Sequence, residues 1–171
     1  DKVKAAGLEV QAVGKIEDIF ANKGITASNH TIANMDSVDA TLEYMDSNKE
    51  GLIFSNLVEY DMIYGHRRDV EGYAQALKDF DNRLEEIINK MNESDVLFIT
   101  ADHGCDPTYE GTDHTREYVP LLVYGKNIKS DNNIGTRSTY ADLAATITDL
   151  LNIEKVEDGQ SFKNEIIKGD N

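Results

Sequence analysis

The sequence predicts an α/β fold in which a largely parallel sheet is flanked by helices. Two observations lead there. Short apolar runs of strand type alternate with longer segments of helical periodicity, and no internal repeat, low-complexity tract or Pro/Gly-rich linker interrupts the alternation across residues 1–171. The chain is therefore expected to form one domain.

Asp1-Lys2-Val3-Lys4-Ala5-Ala6-Gly7 reads as the last turns of a helix ending at a glycine. That reading implies a chain cut from something larger, with an ordinary frayed terminus as its competitor. Residues 8–13 form the first strand, ending at Gly14, and a short helix covers 15–21. Asp36 is placed to cap a helix over 37–45, because Val38, Leu42 and Met45 fall on one face. Residues 51–58 make a buried strand. The longest helix covers 70–91, where Tyr73, Leu77, Phe80, Leu84, Ile87, Ile88 and Met91 follow i, i+3, i+4 spacing and predict a core-facing stripe. Strands are expected at 96–100 and 120–124, and Ser138 or Thr139 caps a helix running to 151. In the tail, Phe162 is expected to close against the domain, with disorder following at Lys168-Gly169-Asp170-Asn171.

Composition excludes several function classes. With 17 Lys+Arg against 32 Asp+Glu the formal charge is −15, and no basic run offers the clustered positive charge that nucleic acid requires. The longest apolar stretches, such as Val96-Leu97-Phe98-Ile99, fall far short of the ~20 residues of a membrane span. A single cysteine, Cys105, rules out an internal disulfide framework and fits a reducing, cytoplasmic setting.

Three of the four histidines lie just beyond expected strands, in loops that also hold aspartates, and strand ends are where open α/β sheets present their ligand sites. Asp61 follows the strand at 51–58, and His66 comes after Tyr64-Gly65, where glycine permits a tight turn. Asp102-His103-Gly104 follows the strand at 96–100, and His114 lies within Thr112-Asp113-His114-Thr115-Arg116-Glu117. Carboxylate and imidazole donors together suit a transition metal better than calcium or magnesium. Asp61, His66 and His114 make one three-ligand set. The neighbours Asp102 and His103 are expected to diverge, so they would reach toward a pair of ions about 3.5–4 Å apart. A second carboxylate and an activated nucleophile, which would normally complete a phosphoryl-transfer centre, do not announce themselves in this chain. Among lesser candidates, Cys105 reads as packing and His30 as an ordinary loop residue without an acidic partner. Asp106 and Asp113 are either acceptors that orient imidazoles or solvated surface, and Arg116 is expected in a structural salt bridge.

At these residues the sequence resembles a known family. Ala101-Asp102-His103-Gly104-Cys105-Asp106-Pro107-Thr108 and the run from Gly111-Thr112-Asp113-His114-Thr115-Arg116-Glu117 to Leu122 are similar to phosphopentomutases, members of the alkaline phosphatase superfamily. Asp61-Met62-Ile63-Tyr64-Gly65-His66-Arg67-Arg68 and Val13-Gly14-Lys15-Ile16-Glu17-Asp18-Ile19 match the same family. The likeness covers essentially the whole chain but only the C-terminal part of that enzyme. Asp-His-Gly is shared with cofactor-independent phosphoglycerate mutases; the Asp-His-Thr-Arg-Glu run separates the pentose enzyme from them.

The resemblance implies an incomplete alkaline phosphatase-like core, and an exchange of phosphate between C1 and C5 of ribose or deoxyribose that uses two Mn2+ ions. By that likeness Asp61, His66 and His114 hold one ion, Asp102 and His103 the other, and Lys15 sits near the transferred phosphate. The family's threonine nucleophile, a further aspartate ligand and the substrate-recognition cap belong to segments outside this chain, so it is expected to be inactive alone. Sheet edge and apolar surface left uncovered would favour self-association. Two other readings remain open, a metal-binding or interaction module without catalysis and another superfamily member such as phosphoglycerate mutase.

Overall fold

The computed structural model describes residues 1–169. Its centre is β1 (Glu9–Val13), the middle strand of a three-stranded parallel sheet in the order β2-β1-β3. A strand flanked on both sides and covered by helices carries a continuous buried run rather than an alternating one. Gln11 is 3% exposed beside Val10, Ala12 and Val13, and its amide donates to Ser47 Oγ at 3.3 Å. On one edge β1 pairs with β3 (Gly51–Ser55), with Val13 opposite Ser55. On the other it pairs with β2 (Ala27–Asn29). The strand β2 gave no signal in the sequence because Ala-Ser-Asn is short and polar; it is held by neighbours, Thr26 Oγ1 accepting from Val10 N at 2.8 Å and Asn29 O from Gly14 N at 3.0 Å.

The helices fall close to their expected places. A short α1 (Lys2–Ala5) precedes β1, and the helix expected over 15–21 is reduced to α2 (Ile16–Ile19). The third helix, α3 (Asn34–Asp46), starts three residues before the expected 37. Asp36 is therefore not its cap but part of its first turn, and the cap position falls on Ala33, which has no side-chain acceptor to offer. In α4 (Val70–Lys90) Asp69 caps through Gly72 N at 2.9 Å.

The apolar stripe of α4 faces inward as expected except at Leu77: Tyr73, Phe80, Leu84, Ile87, Ile88 and Met91 are buried or half-buried. The buried positions are Ala76 and Ile87, while Leu77 is 51% exposed. At about 100° per residue, Leu77, Leu84 and Ile88 share one flank of the helix. Leu84 and Ile88 on that flank face an apolar cavity of about 250 Å³, closed on the far side by Leu97, Ile99, Leu122, Val123 and Tyr124.

That far side is a second sheet. The strands β4 (Leu97–Thr100) and β5 (Leu121–Tyr124) pair antiparallel, Leu97 opposite Tyr124. The parallel arrangement thus holds for β1 to β3 only. The segment joining β4 to β5 contains no helix, and a parallel return needs a crossover that is usually helical. Among the described residues neither β3 nor β4 has a second strand partner.

A separate core lies behind β4 and β5, where Phe162, fully buried, packs with Ile128 and Ile166 against Phe98, Leu121, Val123 and Leu143. Its surround is α5 (Ala141–Leu150) and α6 (Lys163–Ile166). The cap position of α5 falls on Tyr140, which makes no side-chain cap bond, rather than on the expected Ser138 or Thr139; Thr139 Oγ1, one residue upstream, accepts from Ala141 N at 3.2 Å. Order continues past Phe162: Ile167 bridges to Ile128 and Lys168 N donates to Asn127 O at 3.0 Å, so Lys168 is held where disorder was expected. The same expectation for Asp170 and Asn171 lies outside the described residues.

Asp142, 3% exposed, ties this core together by accepting from Gln160 N at 2.8 Å and from Arg137 Nε at 3.0 Å. The Gln160 N–H foremost, and then the Arg137 guanidinium, hold its carboxyl below the usual aspartate range against the opposing effect of burial. A carboxyl lowered in the folded state stabilises fully above its unfolded pKa, and that contribution is lost as pH falls through the folded value. Asp142→Asn is therefore expected to melt below wild type at neutral pH, with the gap closing below about pH 4, checked by thermal denaturation across a pH series.

Candidate metal centre

The chain bends from β3 into a π-helix (Tyr60–Gly65), a widened turn that no periodicity in the sequence announced. This form occurs mostly as single turns at functional sites. Its first turn carries Asp61, and His66 follows directly, its N–H donating to Asp61 O at 3.0 Å. Tyr60 seats the turn by donating its hydroxyl to Ala76 O at 3.1 Å, and burial pushes that phenol up to about 12.

Gly65 is buried, but its φ is not among the positive ones, so the freedom to turn is not why glycine stands there. A Cβ at Gly65 would lie 2.2 Å from Cys105 Sγ and 3.0 Å from Tyr60 O. Close approach of the 101–120 loop demands the glycine. Cys105 acts as packing, as expected, with Sγ 3.9 Å from Asp61 Oδ1. Burial first, and then the charge of Asp61, hold its thiol above the ordinary range.

Through that contact the loop after β4 delivers its histidines to Asp61. One oxygen, Asp61 Oδ1, lies 3.2 Å from His66 Nε2 and 3.2 Å from His114 Nε2. The His103 ring stacks on that of His114 with centroids 3.7 Å apart, and His66 lies beside His114 at 5.0 Å. Asp61, His103 and His114 each offer a ligand atom within 4.8 Å of the others. Asp102 and His103 do not diverge: Asp102 Oδ1 is 3.7 Å from His103 Nε2, because the loop turns sharply at this point and brings the two side chains together. Lys15 lies half-buried at the end of β1, immediately after Gly14. Gly14 is left-handed (φ +75), and a Cβ on it would meet Asn56 O at 2.4 Å, so the Lys15 segment rests on the segment leading to the π-helix.

The tautomers bear on what this cluster can hold. A backbone carbonyl only accepts, so His66 Nδ1, bonded to Thr112 O, carries a proton; so does His103 Nδ1, 2.9 Å from Gly104 O. Neutral rings of this kind aim a lone pair from Nε2 at a carboxylate oxygen, which repels unless a proton or a cation lies between. Separations of 3.2 Å match the about 3.0–3.4 Å between neighbouring donors on bonds of roughly 2.1 Å. Mixed oxygen and nitrogen donors with carbonyl-anchored rings fit a divalent transition metal.

The lesser candidates sort differently. His30 does have an acidic partner, Asp18 Oδ2 at 2.8 Å from Nε2, which raises its pKa; α2 brings a distant carboxylate to it. Asp106 accepts from Thr108 N and Oγ1 and so closes its own turn rather than orienting an imidazole. Arg116 forms no ion pair among the described residues, being exposed in the loop.

The model of the metalloenzyme superfamily matches residues 1–155. The chain belongs to the metalloenzyme superfamily. Membership implies a divalent metal, which the donor set above accommodates. Phosphopentomutases stand among the curated relatives of this superfamily member. That of Alkaliphilus oremlandii is 54% identical over 168 residues, 98% of this chain and 43% of its own length. That of Clostridioides difficile is 57% identical over 166 residues, covering 97% and 43%. The enzyme of Caldanaerobacter subterraneus is 59% identical over 166 residues, covering 97% and 42%. The resemblance drawn from Asp102-His103-Gly104 and Asp113-His114-Thr115-Arg116-Glu117 is thereby borne out, and the chain spans less than half the length of these relatives.

Gly65→Ala is expected to destabilise the chain by about 1–3 kcal/mol through overpacking. Adding Cys105→Ala should recover most of the loss, read as a coupling energy in urea denaturation of the single and double variants.

Proposed function

We propose that the chain is the metal-carrying core portion of a phosphopentomutase, which in complete form exchanges phosphate between C1 and C5 of ribose or deoxyribose. The observation that carries this proposal is Asp61 Oδ1 facing His66 Nε2 and His114 Nε2, both at 3.2 Å, in a chain 54–59% identical to phosphopentomutases. Asp61, His66 and His114 would hold one Mn2+ ion, and Asp102 with His103 a second. The stacking of His103 on His114, with ligand atoms of Asp61, His103 and His114 all within 4.8 Å of one another, supports two sets that adjoin in one pocket rather than standing apart. Bound there, the ions neutralise phosphate charge and lower the pKa of the attacking hydroxyl.

The protein's own part is placement. Thr112 O fixes the His66 imidazole and Gly104 O that of His103, each with Nε2 left as the donor atom toward a metal. Lys15, a compact cation at the same strand-end edge, would take the phosphate. The net charge of −15 does not forbid this, since screening weakens surface charges beyond about 8 Å. The threonine nucleophile and a further aspartate would come from the part of the enzyme outside this chain, leaving the chain inactive alone. A cytoplasmic location belongs with this proposal, supported by the single cysteine.

Calorimetric titration with Mn2+ should show uptake that weakens by more than about 10-fold in Asp61→Ala and in His114→Ala, with His30→Ala unchanged. The complete protein should turn over ribose 1-phosphate and the isolated chain should not. Turnover of phosphoglycerate alone would overturn the assignment, and metal uptake with no turnover by either form would favour a binding module.

The edges of β3 and β4, unpaired among the described residues, and the apolar cavity of about 250 Å³ between α4 and the β4–β5 pair support self-association of the isolated chain. Light scattering over a dilution series should give a mass that rises with concentration; a constant monomer mass would count against it.

A further inference from the structure

The N-terminus of α3 and the start of the π-helix hold each other. Asn34 N donates to Glu59 Oε2 at 2.6 Å, and Glu59 N donates to Asn34 Oδ1 at 3.0 Å. Glu59 occupies the cap position of the π-helix, two residues before Asp61. The residue in the cap position of α3, Ala33, offers no side-chain acceptor, so the Glu59 carboxylate supplies from another segment what a local Ser or Asp would ordinarily supply.

Asn34 is 2% exposed, and its Nδ2 is buried without a hydrogen-bond partner. An orphaned buried donor costs about what a hydrogen bond returns, so stability is a poor reason for this pair. The two bonds do have a geometric effect. They fix the backbone two residues upstream of Asp61, while the other end of the turn is set by the contact of Gly65 with Cys105.

We propose that Asn34 and Glu59 are positioning residues that set where the Asp61 carboxylate stands relative to His66 and His114. The consequence for metal affinity rests on the reading given under the proposed function. In the 171-residue chain, Asn34→Ala and Glu59→Ala should each weaken Mn2+ binding by about 10–100-fold, the range for groups that orient metal ligands. Glu59→Gln keeps an oxygen that can accept from Asn34 N and should bind within a few-fold of wild type. Val38→Ala, which removes buried volume one turn along α3, should lower the melting temperature and leave Mn2+ affinity intact.

Hydrogen exchange supplies a reading that needs no metal. Asn34→Ala should speed exchange of the Met62 and His66 amides while those of β1 stay protected. Wild-type affinity in Asn34→Ala would overturn the inference. So would Glu59→Gln as weak as Glu59→Ala, which would point to charge rather than placement, or Val38→Ala as weak as Asn34→Ala. If Asn34→Ala fails to fold, the Glu59 pair decides. If the wild-type chain takes up no Mn2+, the metal reading falls by itself, and unaltered exchange at Met62 and His66 would then overturn the positioning role as well.

Discussion

Everything near the candidate centre depends on one carboxylate oxygen, Asp61 Oδ1, having two imidazole nitrogens at 3.2 Å. With His66 Nδ1 committed to a backbone carbonyl, its inward nitrogen offers a lone pair to an anion. Such a cluster is stable only if positive charge enters it, as protons or as a cation. On the proposed reading the cation is Mn2+, and the chain's large negative charge becomes a local asset: the pocket needs no basic residue beyond Lys15, because the ions supply the charge that holds phosphate.

The same oxygen lies where two parts of the structure meet. Asp61 and His66 are carried by the sheet around β1, with its own core of Val10, Ala12, Val13, Ile16 and Val38. Asp102, His103 and His114 belong to the loop of the β4–β5 pair, whose core is Phe162, Ile128 and Ile166. The two parts touch near the centre through small groups, Cys105 against Gly65 and Thr112 O on His66, and away from it through the Lys2–Glu154 ion pair. Elsewhere between them lies an apolar cavity of about 250 Å³. A cation shared across such a seam would bind the two parts as well as the substrate, which couples metal uptake to folding.

Placement in this protein is built from ordinary capping chemistry used at a distance. Glu59 caps α3 from the far side of β3, Thr115 Oγ1 accepts from Asp106 N at 2.7 Å to close the histidine loop, and Asp142 gathers Gln160 and Arg137 at the second core. Glu59, Thr115 and Asp142 each bring a side chain to a backbone N–H outside their own turn, 25, 9 and 18 residues away. The cost of ordering these contacts is met by the apolar packing beneath them, so the polar bonds contribute mainly geometry.

The sequence by itself determined the elements with strong periodic or apolar signals, namely β1, β3, α4, β4, β5 and α5, and it singled out Asp61, His66, Asp102, His103 and His114 together with the phosphopentomutase resemblance. Those signals are local, and so are legible along a line. Only the tertiary structure decided the rest: that β2 forms from Ala-Ser-Asn, that α4 turns Leu77 outward, that β4 and β5 pair antiparallel apart from the parallel sheet, and that His30 meets Asp18. It also decided that Gly65 is required by Cys105 and that α3 is capped by Glu59. In each of these the deciding partner lies many residues away or on another element, and spacing along a chain carries no information about which distant group will arrive.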